Sequence, residues 1–169
     1  MAGVPAQADV VDALLSASRA LVALAARSLA DLDADVTLPQ YRTLVVLAAR
    51  GPQRAAEVAL ELGVTPSTGT RMCDRLVRKG LIRRARTAAD RRAVRLTLTP
   101  AGRALVDEVT RRRREELQRV VAAIPASGHA ALVRGLRAFT DATGEPRDDE
   151  WWLGWQDESG APDPLVRTA

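Results

Sequence analysis

The chain reads as a mainly α-helical fold with one small β-hairpin, and three observations predict it. Apolar residues recur at helical spacing, between start and stop residues, along most of the 169 positions. The stretch LIRRAR–TAADRR–AVRLTL instead shows period-two alternation on either side of a turn-like connection. Aromatic residues make up only 3% of the chain, so a core must be built mainly from Ala, Leu and Val, which suits helix packing better than a sandwich or barrel.

Taken in order, residues 1–7 read as a frayed tail and a first helix runs from about Ala8 to Asp31. Val11, Leu14, Leu15, Leu21, Val22, Ala25, Leu29 and Leu32 give it a stripe wide enough to need burial from more than one side, by its own domain or by a second copy. A second helix starts at Thr37, where T-x-x-Q makes a capping box with Gln40 and Pro39 lies in the first turn; it stops at Gly51. PQRAAEVALELG gives a short third helix closed by Gly63. The next helix has both ends marked, by Thr65 as cap, Pro66 at the first position and Gly80 as a left-handed stop. Two helices joined by a tight Gly-containing turn make a helix-turn-helix. After the hairpin, Thr99-Pro100 repeats the start signal for a long helix to about Ala123. Pro125 breaks it, Ser127 can cap another, and Leu132, Val133, Leu136 and Phe139 supply that last helix with an apolar side.

The helix from Pro66 carries the strongest functional signal. Met72, Cys73, Leu76 and Val77 fall on one side; Ser67, Thr70, Arg71, Asp74, Arg75 and Arg78 fall on the other. Short hydroxyls near the N-terminus and guanidinium groups further along can bond phosphates and base edges in a major groove. Alone, the same pattern also describes a solvated helix with charge pairs. The hairpin that follows shifts the balance. Its first strand ends at Arg86, and its connection holds Asp90, Arg91 and Arg92 at a tip where arginine can enter the minor groove. Solubilising loop charges are the alternative.

Charge distribution says more than the formal total of +4. Residues 65–99 hold ten Lys/Arg against two Asp/Glu, a local net of +8, while residues 141–169 hold eight acids against two arginines, a local net of −6. A concentrated basic patch is the footprint of a polyanion partner, here double-stranded DNA. The run Arg111 to Arg114 reads as a solvated helix face, with a phosphate contact as the alternative.

Other classes are excluded by what the chain lacks. One cysteine, Cys73, allows no internal disulfide, the N-terminus lacks a secretory pattern, and no apolar run reaches the ~18 residues of a membrane span, so the expectation is a cytoplasmic chain with no membrane partner. The single histidine, His129, has no metal-ligand or nucleophile partner at a recognisable spacing, and no glycine loop cradles phosphate. Neither an enzyme nor a bound cofactor is expected. The three tryptophans, Trp151, Trp152 and Trp155, sit in a Pro- and Asp-rich tail and present too much apolar surface to stay in water, so they are expected to dock on this subunit, on a partner subunit or on an unknown ligand, with docking on the protein itself favoured.

The order of helix, LPQYRTLVVLAARGP, short helix, LGVTPSTGTRMCDRLVRKGLIRR, DRRAVRLTLTPAGRAL and two helices, over residues 8–141, resembles the MarR family of bacterial transcriptional regulators. The resemblance implies a winged helix-turn-helix within a homodimer, with segments 1–35 and 101–143 as dimerisation helices, 36–100 as the DNA-binding domain and 144–169 as a tail outside the common pattern. It implies a pseudo-palindromic operator and, more often than not, repression. Ser67, Thr68, Thr70, Arg71 and Arg75 match base- or phosphate-contacting positions, Arg92 the wing arginine and Asp90 its supporting carboxylate. It further implies a small aromatic or anionic effector between the dimerisation helices and the winged domain. Arg19, Gln40, Tyr41 and Arg42 are the candidates there, although each also reads as an ordinary surface or boundary residue. Two departures stand out: Gly69 replaces the usual Val or Ile, and no cysteine lies where peroxide-sensing members carry one, leaving Cys73 as a packing residue. The remaining readings are a sequence-tolerant architectural DNA protein and a protein-interaction module acting through its tryptophans.

Overall fold

The computed structural model describes residues 6–30, 32, 35–86, 94–146 and 151. Six helices and one hairpin follow in the order α1 (Gln7–Ala30), α2 (Leu38–Arg50), α3 (Ala55–Glu61), α4 (Pro66–Arg78), β1 (Ile82–Arg86), β2 (Val94–Leu98), α5 (Pro100–Ala122) and α6 (Ala126–Thr143). The strands are antiparallel, with Ile82 opposite Leu98 and Arg86 opposite Val94. Gln53 adds a third short rung by exchanging both backbone hydrogen bonds with Leu96, at 3.2 and 2.7 Å.

The starts of the helices follow from their caps. The Thr37 N–H donates to Gln40 Oε1 (3.2 Å), Thr65 Oγ1 accepts from the Thr68 N–H (3.3 Å), and Thr99 Oγ1 accepts from the Gly102 N–H (3.1 Å). Each satisfies a donor that the first helical turn would otherwise leave unpaired. At α6 the expectation fails: the cap position is Pro125, which offers no side-chain acceptor, and Ser127 lies inside the first turn.

The core is one cluster. Leu44 and Leu47 of α2, Val58 of α3, Cys73 and Leu76 of α4, Ile82, Leu96, and Val106 and Val109 of α5 are all essentially inaccessible to solvent. In β2 the alternation is imperfect: Val94 is exposed, while Thr97 is buried beneath Arg83, whose Nε donates to its hydroxyl (3.3 Å). Thr97 stands on the face opposite Leu96, and Arg83, its partner across the hairpin, shields it there.

Two glycines are fixed by crowding. A Cβ at Gly69 would lie 2.6 Å from the Cβ of Ala59, so α3 and α4 cross at a distance only glycine permits. The expected penalty of glycine in a helix is therefore offset by close packing. At Gly102 a Cβ would meet the Leu81 carbonyl oxygen at 2.0 Å, which pins the start of α5 against the entry to the hairpin.

The terminal helices behave differently. In α1 only Ser28 and Leu29 are buried, and α6 buries no residue at all. Val10, Val11, Leu15, Leu21 and Val22 of α1 and Leu132, Val133, Leu136 and Phe139 of α6 stand well exposed.

Candidate nucleic-acid interface and the adjoining cavity

The outer face of α4 is built by the packing of its inner face. With Gly69, Met72, Cys73 and Leu76 buried, helical geometry leaves Ser67, Thr70, Arg71, Arg75 and Arg78 outside, and all five are exposed. The other threonine in this turn, Thr68, is half-buried, and its hydroxyl accepts from Thr65 Oγ1 (2.9 Å), so it serves the cap as much as the surface. Thr70 Oγ1 donates to the Pro66 carbonyl (2.9 Å), which ties its side chain back to the helix while the residue stays exposed. Burial raises the pKa of the Cys73 thiol above its ordinary value, as fits a packing role.

The structure adds residues that helical periodicity alone did not select. Arg84 of β1 pairs with Asp74 of α4, and these two, with Arg71, Arg75 and Arg78, surround a depression of about 480 Å³ between helix and hairpin. Asp74 thus ties the hairpin's base to the helix and orients Arg84 beside the exposed arginines. The only signal for this in the sequence was Asp74's place on the outer stripe. Arg95 is occupied within the fold, donating to the Pro52 carbonyl (3.0 Å) and lying 3.8 Å from Glu57. Arg86 closes β1, and its side chain lies outside the described residues, as do Asp90, Arg91 and Arg92.

A second, larger cavity of about 800 Å³ lies between α2, α5 and the end of α6. Tyr41, Arg42 and Val45 form one side, and Thr110, Arg113, Arg114, Leu117 and Val121 recur along one face of α5 to form another. Tyr41 is almost wholly buried, which pushes its hydroxyl pKa up, with a hydrogen bond to Thr110 opposing that shift. Of the four effector candidates, Tyr41 and Arg42 line this cavity. Gln40 is instead buried in the α2 cap, and Arg19 lies exposed on α1, bonding Ser16 (3.2 Å). The four-arginine run divides: Arg111 and Arg112 pair with Glu108, which they hold down to about 2, whereas Arg113 and Arg114 face the cavity rather than forming a purely solvated face.

The third wall comes from the tail. Glu145 forms a two-pronged ion pair with Arg42, Nη1 donating to Oε1 at 2.8 Å, and this pair lowers the Glu145 carboxyl pKa while raising that of Arg42. Arg50 reaches the Gly144 carbonyl (3.2 Å), and Trp151 packs against the core cluster beside the cavity. One indole therefore docks on its own subunit as expected; Trp152 and Trp155 lie outside the described residues. The contribution of Glu145 to this site was not anticipated. Among the described residues no cluster of three or more His, Cys, Asp or Glu is placed to hold a metal, and no helix is long and apolar enough to cross a membrane.

A helix-turn-helix joined to an antiparallel hairpin, with a polar, arginine-bearing second helix turned outward, defines a winged-helix protein. The model of the MarR family matches residues 34–93. The multiple antibiotic resistance protein MarR of Salmonella typhimurium is 33% identical over 109 residues, covering 64% of this chain and 68% of its own. The crystal structure of RV1404 from Mycobacterium tuberculosis is similar at 46% identity with a TM-score of 0.77, over 85% of this chain and 99% of that one. This chain belongs to the MarR family. An uncharacterized HTH-type transcriptional regulator of Bacillus subtilis, YsmB, is 34% identical over 83 residues; the match spans 49% of this chain and only 57% of that protein's length.

Proposed function

We propose that this protein is a non-enzymatic, cytoplasmic, sequence-specific regulator of transcription that acts as a homodimeric repressor on a pseudo-palindromic site in double-stranded DNA. The observation that carries the reading is the outer face of α4, where Ser67, Thr70, Arg71 and Arg75 stand exposed on a helix whose inner face is locked into the core. A rigid helix presenting hydroxyls and guanidinium groups suits base edges and flanking phosphates. Arg86, Arg91 and Arg92, with Asp90 as support, extend the contact into the minor groove, and Thr68 steadies the helix start.

Homodimerisation is supported by the apolar residues that α1 and α6 leave in water, because a second copy offers the same faces in return. Two reading helices so joined reach successive major grooves about 34 Å apart. The arginine-lined cavity beside α5 supports a small aromatic or anionic effector, with Tyr41 and Arg42 as contacts; Arg19 and Gln40 have no place in its lining.

Binding to the DNA upstream of the protein's own gene, compared with a scrambled duplex of equal length across a salt series, tests this. A specificity ratio of about a thousandfold is expected, with a steep loss of affinity as salt rises. Equal, salt-sensitive binding to both duplexes identifies an architectural DNA protein instead.

A further inference from the structure

We propose that Glu145 is a built-in competitor for the cavity's ligand: the protein's own carboxylate occupies Arg42, and an anionic aromatic ligand binds by displacing it. The inference rests on reading this cavity as a ligand site. Its charge balance motivates the step. Arg42, Arg113 and Arg114 line the cavity, and Glu145 is the acidic side chain among its lining residues. The geometry matches a carboxylate bound by a guanidinium fork, Nη1 meeting Oε1 at 2.8 Å and Nη2 meeting Oε2 alongside it. Val45, Leu117, Val121 and Trp151 supply apolar wall beside that fork. A flat ring bearing one carboxylate therefore fits the cavity, provided that Glu145 gives up its place.

Glu145 is also a fastening. It directly follows the left-handed cap at Gly144, and α6 buries none of its residues; the end of this helix is tied to α2 through Arg42 and through Arg50 on the Gly144 carbonyl, with Trp151 packed on the core a few residues beyond. Both arginines also lie where the partial negative charge of the helix C-terminus attracts them. Displacing Glu145 removes one of these ties. Ligand entry and release of α6 from the winged domain then become one event, coupled by competition for a single guanidinium.

Naphthoate is a suitable probe, with its uncharged analogue naphthalenemethanol as control, measured by calorimetry on the full chain, on Glu145→Gln and on Arg42→Met. Glu145→Gln should bind naphthoate about fivefold tighter than the parent, the size of effect an exposed ion pair exerts. Arg42→Met should lose that binding, and naphthalenemethanol should not distinguish the parent from Glu145→Gln. Amide exchange at Gly144 and Glu145, whose N–H groups bond Asp141 and Thr140, supplies a readout independent of affinity. It should quicken when naphthoate binds the parent and be fast already in Glu145→Gln. If Glu145→Gln binds no tighter while Arg42→Met still abolishes binding, the cavity is an anion site but Glu145 is no competitor. If naphthoate binds none of the three, both the inference and the ligand-site reading fall.

Discussion

The winged body and the terminal helices are made from the same residue types and reach opposite outcomes. From Leu38 to Val109 the chain closes a core in which Leu44, Leu47, Val58 and Leu76 are hidden from water. Along α1 and α6 an equally apolar set, including Leu15, Leu21, Leu136 and Phe139, stays exposed. Hydropathy does not explain the difference. In the body, three short helices, the hairpin and the first half of α5 pack around one shared cluster, so each covers the others. The terminal helices are long; among the described residues α1 packs against α5 and α2, α6 buries none of its residues, and both leave large apolar side chains in water. The body buries its apolar residues within one chain, and the terminal helices leave theirs exposed.

The largest test of this division is a pair of leucines. Leu76→Ala in α4 should cost about 2 to 5 kcal/mol of unfolding free energy in urea titration, from lost burial and the cavity left behind. Leu136→Asp in α6 should instead keep the helix and hairpin signals while shifting sedimentation towards the monomer. Collapse of the body in Leu136→Asp would falsify the division. Glycines give a smaller contrast. Gly69→Ala places a methyl 2.6 Å from Ala59 and should cost about 1 to 3 kcal/mol in thermal melts. Gly135→Ala in α6 meets nothing within 4 Å and should be stabilising by about 0.5 to 1 kcal/mol. A destabilising Gly135→Ala would sharpen the comparison differently, by locating a partner surface against that turn of α6.

The smallest effect is expected where the two regions are tied together. Arg42 holds the Glu145 carboxyl below its ordinary range, so the tie contributes stability above the unfolded glutamate pKa of about 4.3. That contribution is lost as pH falls through the depressed value of the folded state. Both side chains are more than a third exposed, which keeps it under about 1 kcal/mol. Carbon NMR titration of the Glu145 carboxyl should show the depressed midpoint, and Arg42→Met should return it to the ordinary range.

Much of the body was legible in the sequence because its rules are local. Thr65-Pro66 and Thr99-Pro100 announce their helices within four residues, and the inner stripe Met72, Cys73, Leu76 and Val77 follows from helical period alone. What escaped depends on distant neighbours. Gly69 is intelligible only once Ala59 is known to lie against it, and Thr97 is hidden from water because Arg83 covers it from across the hairpin and donates to its hydroxyl. The Arg42–Glu145 pair spans 103 positions, and no spacing rule links them. An acidic tail and a basic body predict attraction of this sign, but which carboxylate meets which guanidinium is decided by where α6 ends. Likewise Gln40 and Tyr41 share a helix turn, yet one completes a cap and the other faces the cavity.

The crowding at Gly102 has a mechanical consequence. The Leu81 carbonyl presses into the space where a side chain at 102 would be, and it also accepts the Thr99 N–H at 3.1 Å, while the Thr99 hydroxyl holds the Gly80 carbonyl at 2.6 Å. The end of α4, the root of the hairpin and the first turn of α5 are therefore joined without a compliant link. The heading of the first turn of α5 is set by the same contacts that set the end of α4 and the root of the wing.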